Sequence, residues 1–547
     1  MVNISVFIDV NARYWPRKAV AVFPDRGKQY TYPELLSEIN RFSNALRSLG
    51  VRRGDRVAIY MPNAPETLIA FLGTWRAGAV AVPMNVVLRD YEVRHLLNDS
   101  GASVVVTNSQ GYEVIRHLRG SVPEVSVILT DGGASGDGVH SWADLVASSR
   151  DSGRAENCEP ECLAQLQYTS GTTGLPKGAM LTHCNWIAAF DSERWALGLT
   201  DRDVMLYIYP MVHVGFSWAL TALKYGATVI FMERYSMEKY LRYAAEYGAT
   251  VLCSMPPVMT DMVNGPSGIE EYFRAARVVV TGGAPTPEPI WRKWVSRFGI
   301  PVLNAYGLSE TIVVGSAPGT VPGWEHLSKG YRSVGAPIGY AEVKIVDPDD
   351  PSRELGPGET GEIALRGPAV AKGYWRNEEA TRESFLPDGW FLTGDIGFLD
   401  EDGVLYVTDR KKDMIVMSGF KIYPAEVESI LLQNPKILEA AVFARYDERR
   451  GEVPVAAIVL KPGERATKEE ILEWARQHMA SYKVPRDIVF LEELPKMGGW
   501  KILRRVLREK FGNFPSGGAD DGSSREGAQI ARTQQPGRAA MNKFIMA

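Results

Sequence analysis

The chain has 547 residues, and single hydrophobic cores stop growing well below that length, so two or more domains are expected. Hydrophobic residues make up 45% and charged residues 23%, a balance that excludes wholesale disorder. A net charge of −4, with 61 Lys+Arg against 65 Asp+Glu, supplies no broad cationic field for nucleic acid or an anionic membrane surface.

In chain order, residues 34–49 carry helical spacing up to Gly50, 57–60 reads as a short strand, 66–77 as a helix, and 79–82 and 103–106 as strands. The alternation resumes with strands at 228–232, 250–253 and 277–281 and a helix at 237–246, the pattern of parallel sheets covered by helices. Between about 335 and 406, short alternating strands broken by Pro-Gly and Asp-Gly turns predict a small antiparallel unit. Beyond 410 a compact α+β module follows, with strands at 440–443 and 455–460 and a capping box at Thr467 and Glu470 opening a helix. From Gly512 onward, Gly, Ser, Asp, Gln and Arg dominate, and a disordered tail over 513–547 is expected.

Four Cys give no disulfide framework and favour a reducing, cytoplasmic compartment; Cys158, Cys162 and His183-Cys184 lack the second ligand pair of a zinc pattern. The N-terminus has no basic region followed by an apolar run, and Arg76 and Pro83 interrupt the best candidate for a membrane span, so no integral membrane segment is expected.

The most informative stretch is Tyr168-Thr169-Ser170-Gly171-Thr172-Thr173-Gly174-Leu175-Pro176-Lys177-Gly178. Its glycines let successive N–H groups point into one concavity, its hydroxyls add donors and Lys177 adds a positive charge: the makings of a polyphosphate cradle. Pro176 before Lys177 excludes a Walker P-loop, where Gly precedes the lysine. Further on come Val278-Val-Val-Thr-Gly282-Gly283-Ala284-Pro285, a buried strand feeding a tight turn, and Asn304-Ala305-Tyr306-Gly307-Leu308-Ser309-Glu310. Trp390-Phe-Leu-Thr-Gly-Asp395 follows, then Asp409-Arg410-Lys-Lys412-Asp, Ser418-Gly419-Phe420-Lys421, and Leu494-Pro-Lys-Met-Gly-Gly-Trp-Lys501-Ile-Leu-Arg504.

In this order and number, over about residues 10 to 511, these segments resemble the adenylate-forming superfamily of AMP-dependent acyl-CoA synthetases, fatty-acid-CoA ligases and their relatives. The resemblance implies an α/β fold. A large N-terminal adenylation domain (1–410) of helix-covered, mostly parallel sheets plus a small β-barrel-like unit would be followed by a small, mobile α+β C-terminal domain (411–512). It implies two half-reactions: a carboxylate and ATP give acyl-AMP and pyrophosphate, then CoA displaces AMP. The implied ATP/AMP-binding residues are Thr169, Ser170, Gly171, Thr172, Thr173, Gly174, Lys177, Gly282, Gly283, Ala284, Pro285, Asn304, Ala305, Tyr306, Gly307, Ser309, Asp395, Arg410 and Lys501. Among these Tyr306 would stack on adenine, and Asp395 with Arg410 would hold the ribose, whose diol needs an acceptor. Glu310 would hold Mg2+, Lys501 would be the catalytic lysine, Thr169 and His213 would stand beside the reacting groups, Lys412 would be the hinge, and Ser418, Gly419, Phe420 and Lys421 would line the CoA tunnel. Relatives usually carry a Thr/Ser run ending in Gly before the lysine, where this chain has Met497-Gly-Gly-Trp500.

Segments matching the relatives' acyl wall, 211–218, 254–259, 282–284 and 307–315, are mostly small or apolar and lack the aspartate that amino-acid-activating relatives place near His213. A hydrophobic, medium- or long-chain fatty acid is therefore expected. An aryl or short-chain acid stays open, as do an ADP-releasing phosphotransferase and a non-catalytic ATP-binding protein. The expected partners are the carboxylic acid, ATP and CoA, and a homodimer is compatible with the resemblance.

Overall fold

The computed structural model describes residues 3–132, 136–169, 175–283, 286, 288–312, 316–317, 333–338, 340–418, 420–497 and 501–512. Ser170, Gly171, Thr172, Thr173, Gly174, Ala284, Pro285 and Gly419, the side chain of Lys501 and the tail 513–547 lie outside the described residues. The chain divides into two compact units, Met1–Val407 and Thr408–Ala547.

The first unit holds two seven-stranded sheets. One runs in the order Val139–Ser141, Ser126–Leu129, Val104–Thr107, Arg56–Tyr60, Val80–Met84, Leu163–Thr169 and Lys177–Thr182, parallel except for the last strand. The other runs Val302–Asn304, Val278–Thr281, Val251–Cys253, Val204–Tyr207, Thr228–Phe231, Ala19–Phe23 and Lys28–Thr31, again parallel except for its last member. The strands read as continuous apolar runs because both faces are covered. Val57 and Ile59 enter one buried cluster while Ala58 and Tyr60 enter another, as the two-residue period of a strand requires. The larger cluster also takes Val20, Val22 and Met205 from the second sheet and half of the helix Pro65–Arg76, so the main core lies between the sheets. Arg76, 1% exposed at the end of that helix, is neutralised by Asp9 at 2.7 Å. An antiparallel six-stranded sheet from Ser316–Ala317 to Leu405–Arg410 completes the architecture expected between 335 and 406.

The predicted helices at 34–49, 66–77 and 237–246 are found as Tyr32–Ser48, Pro65–Arg76 and Met237–Glu246. In the second unit a five-stranded sheet is built on Ile437–Asp447 and Gly451–Leu460, both longer than their sequence signal, since each continues through polar residues that alternation alone does not mark as strand. Thr467 and Glu470 form the expected capping box of the helix Lys468–His478. Among the described residues no helix is long and apolar enough to cross a membrane.

Among the described residues of the first unit, Glu193, on the helix His183–Leu197, is a fully buried carboxyl held by hydroxyl groups: its oxygens accept hydrogen bonds from Ser217 and from Thr221, the latter at 2.6 Å. Burial pushes it up to about 8, against the two hydroxyls, which pull it down. The unfolded chain releases this proton near pH 4.5 and the folded chain near 8, so the stability linked to Glu193 is full below about 4.5 and is lost as pH rises through 8. At 1.36 kcal/mol per pKa unit the loss is on the order of 5 kcal/mol. Thermal unfolding at pH 6 and pH 9 should therefore show a large drop for the wild type and less than half that drop for Glu193→Gln; parallel behaviour of the two proteins would remove the assignment.

Candidate functional site

The ends of the parallel strands and one hairpin define the candidate site, as expected for open α/β sheets whose ligands bind beyond the carboxyl ends of their strands. Leu163–Thr169 and Lys177–Thr182 pair antiparallel with Thr169 opposite Lys177, and these two strands flank the glycine- and threonine-rich stretch in the sequence. Gly178 sits under the Tyr168 ring, where an added Cβ would come within 3.2 Å of Cζ. The segment 372–375 runs alongside this hairpin: Met180 N–H donates to Gly373, Lys372 N–H to Met180 and Trp375 N–H to Gly178. That pairing brings Tyr374 to the site. The Lys177 ammonium lies 5.2 Å from the centre of its ring, and its hydroxyl donates to Glu310 Oε1 at 2.7 Å.

Glu310 is held in a short 3-10 turn, Ser309–Thr311, and its carbonyl accepts from Ala371 N–H. Burial, then the adjacent Glu310 charge, pushes the Tyr374 phenol well above its usual range, so it stays a donor. A buried carboxylate oxygen is a hard ligand of the kind Mg2+ takes, and Mg2+ is commonly held by one or two protein carboxylates with phosphate and water oxygens completing its shell. Among the described residues there is no group of three or more His, Cys, Asp or Glu that could hold a metal ion.

Across the site, the strand Val278–Thr281 ends in Gly282 and Gly283. A Cβ on Gly282 would meet the Ala305 carbonyl at 3.1 Å, and Gly283 has φ +77°, so this turn needs glycine at both positions. Ala305 N–H donates to Thr281, extending the pairing of Val302–Asn304 past Asn304. Tyr306 is buried, and its hydroxyl donates to Asp395 Oδ2 at 2.8 Å. Asp395 belongs to the strand Phe391–Leu399, where Gly394 at φ +70° and a register shift opposite Glu362 and Ala364 bend the chain and aim the carboxylate. Gly307 is exposed and Asn304, Ala305, Ser309 and Thr169 are half-buried.

His213 is exposed, not packed in the core, with Nε2 2.9 Å from Asn85 Nδ2. The amide donates there, leaving that ring nitrogen the acceptor. Behind His213 the wall is fixed by Tyr209, whose hydroxyl lies 2.9 Å from the Ser254 carbonyl and 2.8 Å from that of Val280. Met211, Val212, Ser254 and Met259 are buried.

In the second unit, Arg410 precedes the 3-10 turn Lys411–Asp413, in which Lys412 is exposed. Ser418, at φ +50°, joins the strands Ile415–Met417 and Phe420–Ile422. Phe420 is 55% exposed and stacks on Tyr482 at 5.1 Å, and Lys421 is exposed beside it. The backbone of Lys501 pairs with Met497 in a two-stranded ribbon. Among the described residues, the non-glycine positions with positive φ are Ile312, two residues after Glu310, Arg376, two residues after Tyr374, and Ser418, before Gly419. Such strain tends to gather at functional sites.

Within the first unit, then, Lys177 and Glu310 come together around Tyr374, and Tyr306 joins Asp395. Tyr374 and Asn85 are absent from the sequence reading. Tyr374 had only the weak mark of an aromatic after Gly373; Asn85 stands at the end of the strand Val80–Met84, a position parallel-sheet topology favours for function.

Residues 8–375 match the AMP-binding enzyme family and residues 426–501 match the AMP-binding enzyme C-terminal domain. A 4-coumarate–CoA ligase of Oryza sativa subsp. japonica is 33% identical over 492 residues, 89% of this chain and 88% of the relative. A long-chain-fatty-acid–CoA ligase of Mycobacterium tuberculosis is 33% identical over 515 residues, 93% of this chain and 99% of the relative. Among solved structures, ATP-bound MatB from Rhodopseudomonas palustris superposes with a TM-score of 0.85 at 29% identity, covering 93% of this chain and 99% of that one.

Proposed function

Because the chain belongs to the AMP-binding enzyme family of adenylate-forming enzymes, we propose that it is an AMP-forming acyl-CoA synthetase acting on a hydrophobic, medium- or long-chain carboxylic acid. The observation that carries the nucleotide half of this reading is the buried Tyr306–Asp395 hydrogen bond beside the Gly282-Gly283 turn, an aromatic ring and an acceptor carboxylate beyond the ends of parallel strands. The residues of 1–410 bind ATP and the acid; those of 411–512 form the mobile domain that serves each half-reaction in turn.

In the first half-reaction the acid's carboxylate attacks the α-phosphorus, the bond to the bridging oxygen of pyrophosphate breaks, and acyl-AMP remains. Thr169, the loop 170–174 and Lys177 cradle the phosphates, and Asp395 with Arg410 orients the ribose. Glu310 would hold Mg2+, which when bound neutralises phosphate charge and supports the departure of pyrophosphate. Tyr374 steadies Glu310 by donating to one oxygen, leaving other lone pairs for a ligand. Lys501 is the cation this reading assigns to the gap between the incoming carboxylate and the α-phosphate. In the second half-reaction a CoA thiol, admitted past Ser418, Gly419, Phe420 and Lys421, displaces AMP. His213, held through Nε2 by Asn85, is assigned beside the acyl group.

The apolar character of 211–218 and 254–259 supports a fatty acid, since a cation or second carboxylate on the substrate would find no charge there to pair with. An aryl acid is the second reading, favoured by the 4-coumarate–CoA ligase relative at the same 33% identity. Pyrophosphate release over a panel of linear, branched and aromatic acids, with and without CoA, tests both. Turnover fastest with medium or long linear acids, with AMP as the nucleotide product, is expected; preference for aromatic acids selects the second reading, and ADP as product, or no turnover with any acid, overturns both.

A further inference from the structure

The second unit contains a partly buried cluster of charges whose placement the proposed chemistry has not used. Arg504 follows Lys501 by three residues and opens the helix Arg504–Phe511. Its guanidinium forks onto Glu428, with one terminal nitrogen 2.9 Å from Oε1 and 2.7 Å from Oε2, and its other terminal nitrogen lies 3.5 Å from Asp413 Oδ2. Glu428 is fixed in turn, because Oε1 accepts Val442 N–H at 2.7 Å. Asp409, also buried, accepts the N–H groups of Ala425 at 2.6 Å and Arg410 at 2.8 Å and adds its charge to the field at Arg504.

Nothing in the helix itself calls for an arginine there. A cation in the first turn opposes the helix dipole, the first turn has no acidic residue, and Leu503 makes no side-chain cap. Nor does a buried ion pair ordinarily add much stability over apolar packing. What the cluster does is geometric. A planar fork bound at two oxygens fixes direction as well as distance. Here it joins the 409–413 segment and the helix Pro424–Leu431 to the chain immediately after Lys501, while Leu503 N–H donates to Pro495 and Lys496 bonds Glu439 at 2.6 Å to hold the ribbon's other side.

Resting on the proposed adenylation reaction, we infer that Arg504 is a positioning residue for Lys501: its bridge to Glu428 and Asp413 fixes the lysine's ribbon against the segment that carries Arg410 and Lys412, for the first half-reaction only.

The full chain, its Arg504→Met variant and the same change in a Lys501→Ala background test the inference by three readouts. Fatty-acid-driven ATP–pyrophosphate exchange should fall at least tenfold in Arg504→Met, thioester formation from supplied acyl-AMP should stay within threefold, and adding Arg504→Met to Lys501→Ala should cost less than twofold further. Hydrogen exchange of the 496–503 amides should rise in Arg504→Met. Equal losses in both half-reactions, a full tenfold loss in the Lys501→Ala background, or unchanged amide exchange each overturn it. If Arg504→Met fails to fold, Asp413→Asn cuts the same link from the other side: exchange should fall threefold or more with the thioester step within twofold, and equal falls overturn the inference. Absence of exchange in the wild type with every acid would strike the adenylation reading itself, while the amide measurement still decides whether Arg504 anchors the ribbon.

Discussion

Replacing Lys501 with alanine is expected to lower acyl-AMP formation by roughly 100- to 1,000-fold while leaving thioester formation from supplied acyl-AMP nearly unchanged. The magnitude follows from the charges. A carboxylate brought to about 4 Å from an α-phosphate oxygen costs on the order of 4 kcal/mol at an effective dielectric near 20, and an ammonium between the two reverses that sign. Each 1.36 kcal/mol is tenfold in rate, so losing most of one such interaction gives two to three powers of ten. The asymmetry follows from the second half-reaction: the thiol attacks the acyl carbonyl carbon of the mixed anhydride and not the phosphorus, so no carboxylate must be driven against the α-phosphate. Rapid-quench measurement of acyl-AMP in the first turnover, beside thioester formation from synthetic acyl-AMP, separates the two. Equal impairment of both would show that Lys501 supports the fold or the nucleotide pocket and not the approach of the carboxylate.

How much of this could be read from the chain alone differs by element. The buried strands were legible because both faces of each parallel sheet are covered, and an unbroken apolar run such as Val104–Thr107 has few other homes. The helix Tyr32–Ser48 was legible from its spacing and from Gly50 beyond it, while its start, two residues earlier than predicted, is set by the Thr31 and Glu34 capping box that the structure shows. The candidate site was legible as motifs but not as contacts. Tyr306 and Asp395 are 89 residues apart and each was assigned singly; that one donates to the other depends on the Gly394 bend, which a one-dimensional pattern does not encode.

Tyr374 was missed for the same reason in stronger form. It reaches Glu310, 64 residues away, only because 372–375 pairs with the outer edge of the Thr169–Lys177 hairpin, an irregular pairing with no periodic signature. Glu193 was hidden for a different reason. A glutamate in a helix ordinarily marks a solvent face, and only the tertiary contact with Ser217 and Thr221 makes it a buried acid. Local rules therefore fixed the elements, while the groups with the most altered chemistry were those whose environment is assembled from distant segments.

Lys412→Pro is expected to act in the opposite sense to Lys501→Ala, slowing thioester formation at least tenfold and sparing acyl-AMP formation to within a few fold. In the structure Lys412 is the middle residue of the 3-10 turn Lys411–Asp413, and Met414 N–H closes on the Arg410 carbonyl just around it. Residues in such a turn sit at φ of about −50 to −70°, the range to which a pyrrolidine ring confines its own residue, so proline is tolerated at 412 in the observed conformation. It also disfavours helical ψ at Lys411, a cost to the observed turn that the first half-reaction bears as well, hence its expected fall by a few fold. A hinge works by letting one or two backbone angles take a second value, and proline removes that second value for φ at 412. Because the exposed Lys412 side chain is not placed in either reaction, Lys412→Ala serves as the control: it removes the ammonium and keeps the rotation, and should leave the thioester step within twofold. Equal slowing by alanine and proline would assign the effect to the lost charge, and an unimpaired second half-reaction in Lys412→Pro would remove the hinge from this position altogether.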